Sequence, residues 1–149
     1  MSNNTSQIFS LRPKWNWCAL TAANTAMDGT GTVGTLFTAT STSGVDSRIE
    51  RIRCMAQGTN VASVARVFVN NGSSNATASN NSLIAEIALP ATSASNSAPV
   101  NPTLIELPSA ADLNALFPNG LPNGYKINIC LGTAVSAGWQ FTGLGADYG

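Results

Sequence analysis

Three observations predict an all-β fold for this chain, a single-domain, jelly-roll-like β-sandwich with one short helix near 109–117. Apolar residues recur at period two in short runs, clusters of Gly, Asn, Pro and Ser separate those runs at sandwich-like intervals, and only one stretch carries a helix-start pattern. At 149 residues the chain fits one domain whose core needs neither disulfides nor metals.

The opening MSNNTSQIFS has no apolar period, and residues 1–14 are expected to form a flexible arm ahead of a sandwich domain at 15–149. KWNWCALTA alternates so that Trp15 and Trp17 share one face while Cys18 and Leu20 share the other. Asp28-Gly29 marks a turn before a Thr- and Val-bearing strand that runs through Phe37. In SRIERIRCMAQG the same period places Glu50, Ile52, Cys54 and Ala56 on one face and Ile49, Arg51, Arg53 and Met55 on the other.

NVASVARVFVNNG is the clearest strand, β-branched and closed by the turn signal Asn71-Gly72. After a polar loop, LIAEIALP alternates with Leu83, Ala85, Ile87 and Leu89 facing inward. Prolines at 90, 99, 102 and 108 keep the following region, including the short strand TLIELP, out of any central ladder. SAADLNALF starts like a helix, with Ser109 as N-cap and Asp112 three residues on. Pro-Asn-Gly at 118–120 and again at 122–124 is a doubled turn leading into YKINICLGT, with Tyr125, Ile127, Ile129 and Leu131 on one face. The chain ends in WQFTGLGADYG, whose glycines miss the G-x-G-x-x-G phosphate spacing by one residue and have no helix after them. Gly143 and Gly145 therefore read as a bulge or close-approach site in a last strand tied down by Asp147 and Tyr148.

Charged residues are 9% of the chain, against about a quarter in an average soluble protein, and seven basic residues balance seven acidic ones. No long-range field gathers phosphates or anionic lipid, so neither nucleic acid nor membrane is an expected partner. Weak self-repulsion favours assembly instead, and a homo-oligomer is expected. No signal-peptide pattern and no apolar run of about twenty residues occurs. The Asn-x-Ser/Thr triplets at Asn3, Asn71, Asn75 and Asn80 read as chance in so Asn-rich a chain. Cys18, Cys54 and Cys130 are odd in number, lack C-x-x-C spacing, and read as small buried hydrophobes made in a reducing compartment.

Histidine is absent, which removes the commonest general base, the usual partner of a Ser or Cys nucleophile, and the commonest metal ligand. The seven carboxylates are the remaining catalytic candidates; Asp28 and Asp112 suit a turn and a helix cap, and Glu50 sits among arginines as an ordinary strand-surface charge. The reading is of a non-enzymatic protein without a catalytic, cofactor or metal site. The cluster RIERIR reads as charges that discourage wrong edge pairing or that pair with a neighbouring subunit. Trp15, Trp17 and Trp139 read as core or interface residues, with a sugar-binding platform as the alternative.

GTGTVGTLFTA, SRIERIRCMAQGTNVASVARVFVNNG, LIAEIALP and GYKINICLGTAVSAGWQFTGLGADYG, in that order, resemble small virion structural proteins of tailed bacteriophages. The resemblance spans most of residues 29–149 and rests on pattern rather than on a chemical motif. It implies a capsid decoration or cement protein, made in the host cytoplasm, that binds the outer head surface and clamps the major capsid protein. A tail or head-fibre component, or a carbohydrate-binding module, is the alternative. For the decoration role the expected interface is Ile8, Phe9, Leu11, Arg12, Trp15 and Trp17 with Arg51 and Arg53, since an arm that orders on contact covers much surface.

Overall fold

The computed structural model describes residues 10–40, 47–100, 105–106 and 120–148. They form eight strands: β1 (Ser10–Leu20), β2 (Gly34–Thr38), β3 (Ser47–Ala56), β4 (Ser63–Asn70), β5 (Asn81–Leu89), β6 (Ile105–Glu106), β7 (Lys126–Leu131) and β8 (Trp139–Tyr148), with a 3-10 turn at Ala78–Asn80. Sheet A has the order β1-β8-β3-β6 and sheet B the order β2-β7-β4-β5, all neighbours antiparallel. The pairs β1–β8, β2–β7, β3–β6 and β4–β5 are nested, first with last and inward. That nesting is a long hairpin rolled into two sheets, the jelly roll. The all-β sandwich expected from the alternation is the observed fold.

The helix near 109–117 and residues 1–9 of the arm lie outside the described residues. Residues 10–14, expected in the arm, belong to β1 and pair with 145–148 of β8. The last strand extends that far and leaves backbone groups to satisfy, and Pro13 is tolerated because β1 is an edge strand. β6 is also an edge in the strand order, paired among the described residues with Arg53 and Cys54, as its flanking prolines lead one to expect.

The core lies between the sheets. Leu36 and Phe37 of β2, Ile127, Ile129 and Leu131 of β7, Ile49, Ile52 and Cys54 of β3, and Trp139 and Phe141 of β8 are all nearly inaccessible. The register shifts in β1, in β2 between Thr35 and Phe37, in β3 and in β5, and the last two overturn expected facings. In β3, Ile49 opposes Gly145 and Arg51 opposes Leu144, so Glu50 has no partner and is turned outward. Ile49 and Ile52 are consequently both buried, and the expected sharing of a face by Glu50 and Ile52 does not occur. In β5 the unopposed residue is Ile84, which packs on the core and leaves Leu83 41% exposed rather than inward.

The terminal glycines are close-approach sites. A Cβ on Gly143 would lie 2.7 Å from the Leu36 carbonyl oxygen, and one on Gly145 would lie 2.7 Å from Phe37 Cε2 and collide with the Arg48 carbonyl oxygen. Asp147 accepts hydrogen bonds from the Ser47 hydroxyl and from Lys14 Nζ at 3.3 Å, tying β8 to both neighbours.

One end of the roll is pinned by Asn60, which is 3% exposed. Its amide nitrogen donates to the Gly138 and Gly58 carbonyls and to Thr92 Oγ1, and its Oδ1 accepts from the Ala137 and Gly138 amides. Three loops are thus satisfied by one side chain. Asparagines elsewhere do similar service: Asn24 donates to the Thr30 and Thr32 carbonyls, and Asn75 donates to those of Gly29 and Gly31. Amide-rich loops supply internally the hydrogen bonds that irregular backbone lacks.

Candidate functional site: the outer face of sheet A

The register of β1, β8 and β3 builds the outer face of sheet A as transverse rows of three residues. Trp15, Leu144 and Arg51 form one row, Trp17, Thr142 and Arg53 the next, and Ala19, Gln140 and Met55 the third. Pro13, Ala146 and Arg48 form a fourth at the other end. Neighbours within a row are about 4.8 Å apart, and rows follow each other at about 6.8 Å along the strands. Indoles line one margin and guanidiniums the other, with β8 between them.

This face leaves large side chains in solvent. Trp15 is 67% exposed, Trp17 55% and Met55 45%. The two indoles pack edge to face, with centroids 5.9 Å apart and planes at 68°, so each holds the other's orientation. The outer face of sheet B behaves differently. Phe68 and Cys130 lie opposite the core side of that sheet yet are each 1% exposed, and Arg66 is paired with Glu86 at 2.8 Å.

Two shallow depressions adjoin in the sheet A face. One, of about 380 Å³, is lined by Pro13, Lys14, Trp15, Glu50, Leu144 and Gly145. The other, of about 550 Å³, is lined by Arg48, Glu50, Arg51 and Leu144. They share Leu144 as apolar floor and Glu50 as the carboxylate that the β3 bulge aims outward. Lys14 lines the first but directs its ammonium to Thr40 and Asp147, 5.3 Å from the centre of the Phe37 ring. The Nε atoms of Arg48 and Arg53 are buried without a hydrogen-bond partner among the described residues.

Of the expected interface residues, Trp15, Trp17, Arg51 and Arg53 are brought together on this face, although Arg51 and Arg53 come from a distant strand. Arg12 is exposed but lies in a row with Asp147 and Ser47, on the opposite face of β1 from the tryptophans. Ile8 and Phe9 lie outside the described residues, and of Leu11 only the strand backbone is described. Trp139 is separated from the other two tryptophans: it is fully buried in the core, so no three-indole platform exists. Leu144 and Glu50 were not singled out for the site from sequence. Their positions follow from the register of β8 and from the bulge, neither of which has a local signature.

The three cysteines are free. Cys18 and Cys54 both oppose Phe141 from either side of β8, about 9.6 Å apart through two strand spacings and beyond disulfide reach. Burial pushes the Cys18 thiol up to about 11 and, with the neighbouring Cys18, the Cys54 thiol up to about 12. Burial raises Cys130 as well, against the lowering effect of Arg66. Thiols so far from ionisation are poor nucleophiles at neutral pH. Among the described residues no three His, Cys, Asp or Glu side chains cluster, and no helix is long and apolar enough to cross a membrane.

Comparison of the chain with family models, with curated proteins and with solved structures gave no match.

Proposed function

We propose that this protein is a non-enzymatic structural unit of a larger assembly and that the outer face of sheet A is a contact surface through which it is held. The observation that carries the reading is the pair of exposed indoles at Trp15 and Trp17, fixed against each other and faced across β8 by Arg51 and Arg53. Tryptophan and arginine dominate the energetics of protein interfaces, and a rigid sheet presents them at little entropic cost. Together with the resemblance to phage virion proteins, this makes a capsid decoration or cement protein the reading the residues support best. A jelly roll serves viral shells and lectins alike, so the fold itself does not choose between them.

The test is to locate the protein on purified virions by cryo-electron microscopy and to measure occupancy of Trp17→Ala and Arg53→Ala variants. Head-surface density that is lost in either variant is expected. Absence from the head, or full occupancy by both variants, would defeat the assignment. A carbohydrate-binding module is the second reading, favoured by the depression that sets Trp15 beside Glu50. Glycan-array binding that disappears in Trp15→Ala would establish it in place of the first.

A further inference from the structure

We infer that the occupant of the sheet A face is a second copy of this chain, docked face to face about a two-fold axis that runs along β8. The inference rests on the proposed assembly role and names the partner at that surface. Its basis is the order of residues in each row: an indole on β1, a neutral residue on β8 and a guanidinium on β3, repeated in two successive rows.

A two-fold axis in the contact plane, parallel to β8, keeps the level along the strands and exchanges left for right. It sets Trp15 against the partner's Arg51 and Trp17 against the partner's Arg53, with Leu144 and Thr142 meeting their own copies on the axis. Every contact then occurs twice, as an isologous interface requires. A guanidinium over an indole face is a favourable cation–π pair, strengthened when water is excluded. The third and fourth rows obey the same exchange, with Ala19 against the partner's Met55 and Pro13 against the partner's Arg48. No other axis in the plane achieves this. One perpendicular to the strands sets indoles on indoles and arginines on arginines, stacking like charges.

The charges on the face suit a copy better than a partner of one sign. Arg48, Arg51 and Arg53 are interspersed with the exposed Glu50. A uniformly acidic partner would meet Glu50 beside Arg51, whereas the two-fold exchange sets the charges of β3 against the uncharged outer residues Pro13, Trp15 and Trp17 of the partner's β1. Four rows on three strands measure about 14 by 27 Å, roughly 400 Å² in projection before corrugation by the indoles. Stable interfaces bury about 800 Å² per partner, so this contact is about half that size and the association is a weak, reversible one.

Sedimentation equilibrium of the full chain at about 10–100 μM tests the inference in the absence of any shell. A reversible species of twice the 15.3 kDa chain mass is expected. Trp17→Arg opposes two guanidiniums and should weaken association at least about tenfold, or about 1.4 kcal/mol. Adding Arg53→Glu to that variant pairs Arg with Glu across the axis and should restore most of it. Circular dichroism melts confirm that each variant is folded; Trp17 is exposed, so its replacement leaves the core intact. A monomer throughout this concentration range would overturn the inference, as would a double variant no better than Trp17→Arg. A monomer whose occupancy on virions is nevertheless lost in Trp17→Ala would leave the face as an interface and give it a different occupant.

Discussion

Replacing Gly145 by alanine should destabilise the fold even though alanine usually stabilises an extended glycine position. Removing backbone freedom from the unfolded chain contributes about 0.4–1 kcal/mol in favour of the variant. Against that, the new Cβ sits 2.7 Å from Phe37 Cε2 and collides with the Arg48 carbonyl oxygen. Phe37 is fully buried, and Arg48 is a member of the β3–β8 ladder, so neither yields without breaking packing or hydrogen bonds. Overpacking of this kind costs about 1–3 kcal/mol, and the hard contact places Gly145→Ala toward the upper end. The net loss is about 2 kcal/mol, which at about 2–4 °C per kcal/mol for a chain of this size lowers Tm by about 4–8 °C. Urea titration followed by fluorescence measures it, because Trp139 is buried while Trp15 and Trp17 are already in solvent. Gly132→Ala is the control: its Cβ would meet only the end of the Arg66 side chain at 3.2 Å, which can move, and a small change is expected. A Gly145→Ala protein as stable as the parent would refute the close-approach argument.

Asn60→Asp keeps the shape of the side chain but removes both donors to the Gly138, Gly58 and Thr92 oxygens and buries a charge, so a loss of about 3 kcal/mol is expected in urea titration at neutral pH. For the thiols, the folded values of about 11 and about 12 lie above the ordinary 9.0 of an unfolded chain. Their contribution is whole below pH 9 and is lost as pH rises through that window, so stability should fall between about pH 9 and 12, and Cys54→Ala should flatten the decline. Native Cys54 should resist alkylation at neutral pH and react only after unfolding, which mass spectrometry of trapped thiols checks.

Much of the fold was legible because alternation, turn residues and proline placement are local. The period placing Trp15 and Trp17 together against Cys18 and Leu20 holds in β1, and the glycines of the doubled Pro-Asn-Gly both adopt positive φ, 89° at Gly120 and 86° at Gly124. Prolines correctly confined β6 to an edge. The same reasoning failed at Glu50 and Leu83, where a bulge adds one residue and reverses the facing of everything on one side of it. A bulge is a property of the pairing between two strands, here β3 with β8, and nothing in RIERIR signals it. Asn60 was equally invisible, since an asparagine in an Asn-rich loop gains significance only from the two other loops that converge on it.

The sequence by itself determined that this chain alternates, turns and lacks histidine, and hence that it is an all-β protein without the commonest general base. It also determined that two indoles share a face of the first strand, because that is a consequence of the two-residue period alone. Only the tertiary structure decided that β8 lies between β1 and β3, which converts two separate motifs, the tryptophans at 15 and 17 and the arginines at 51 and 53, into one surface. Strand order and register are set by which ladders close and which side chains fit between the sheets. Those are properties of the whole packed roll and are not carried by any local run of residues.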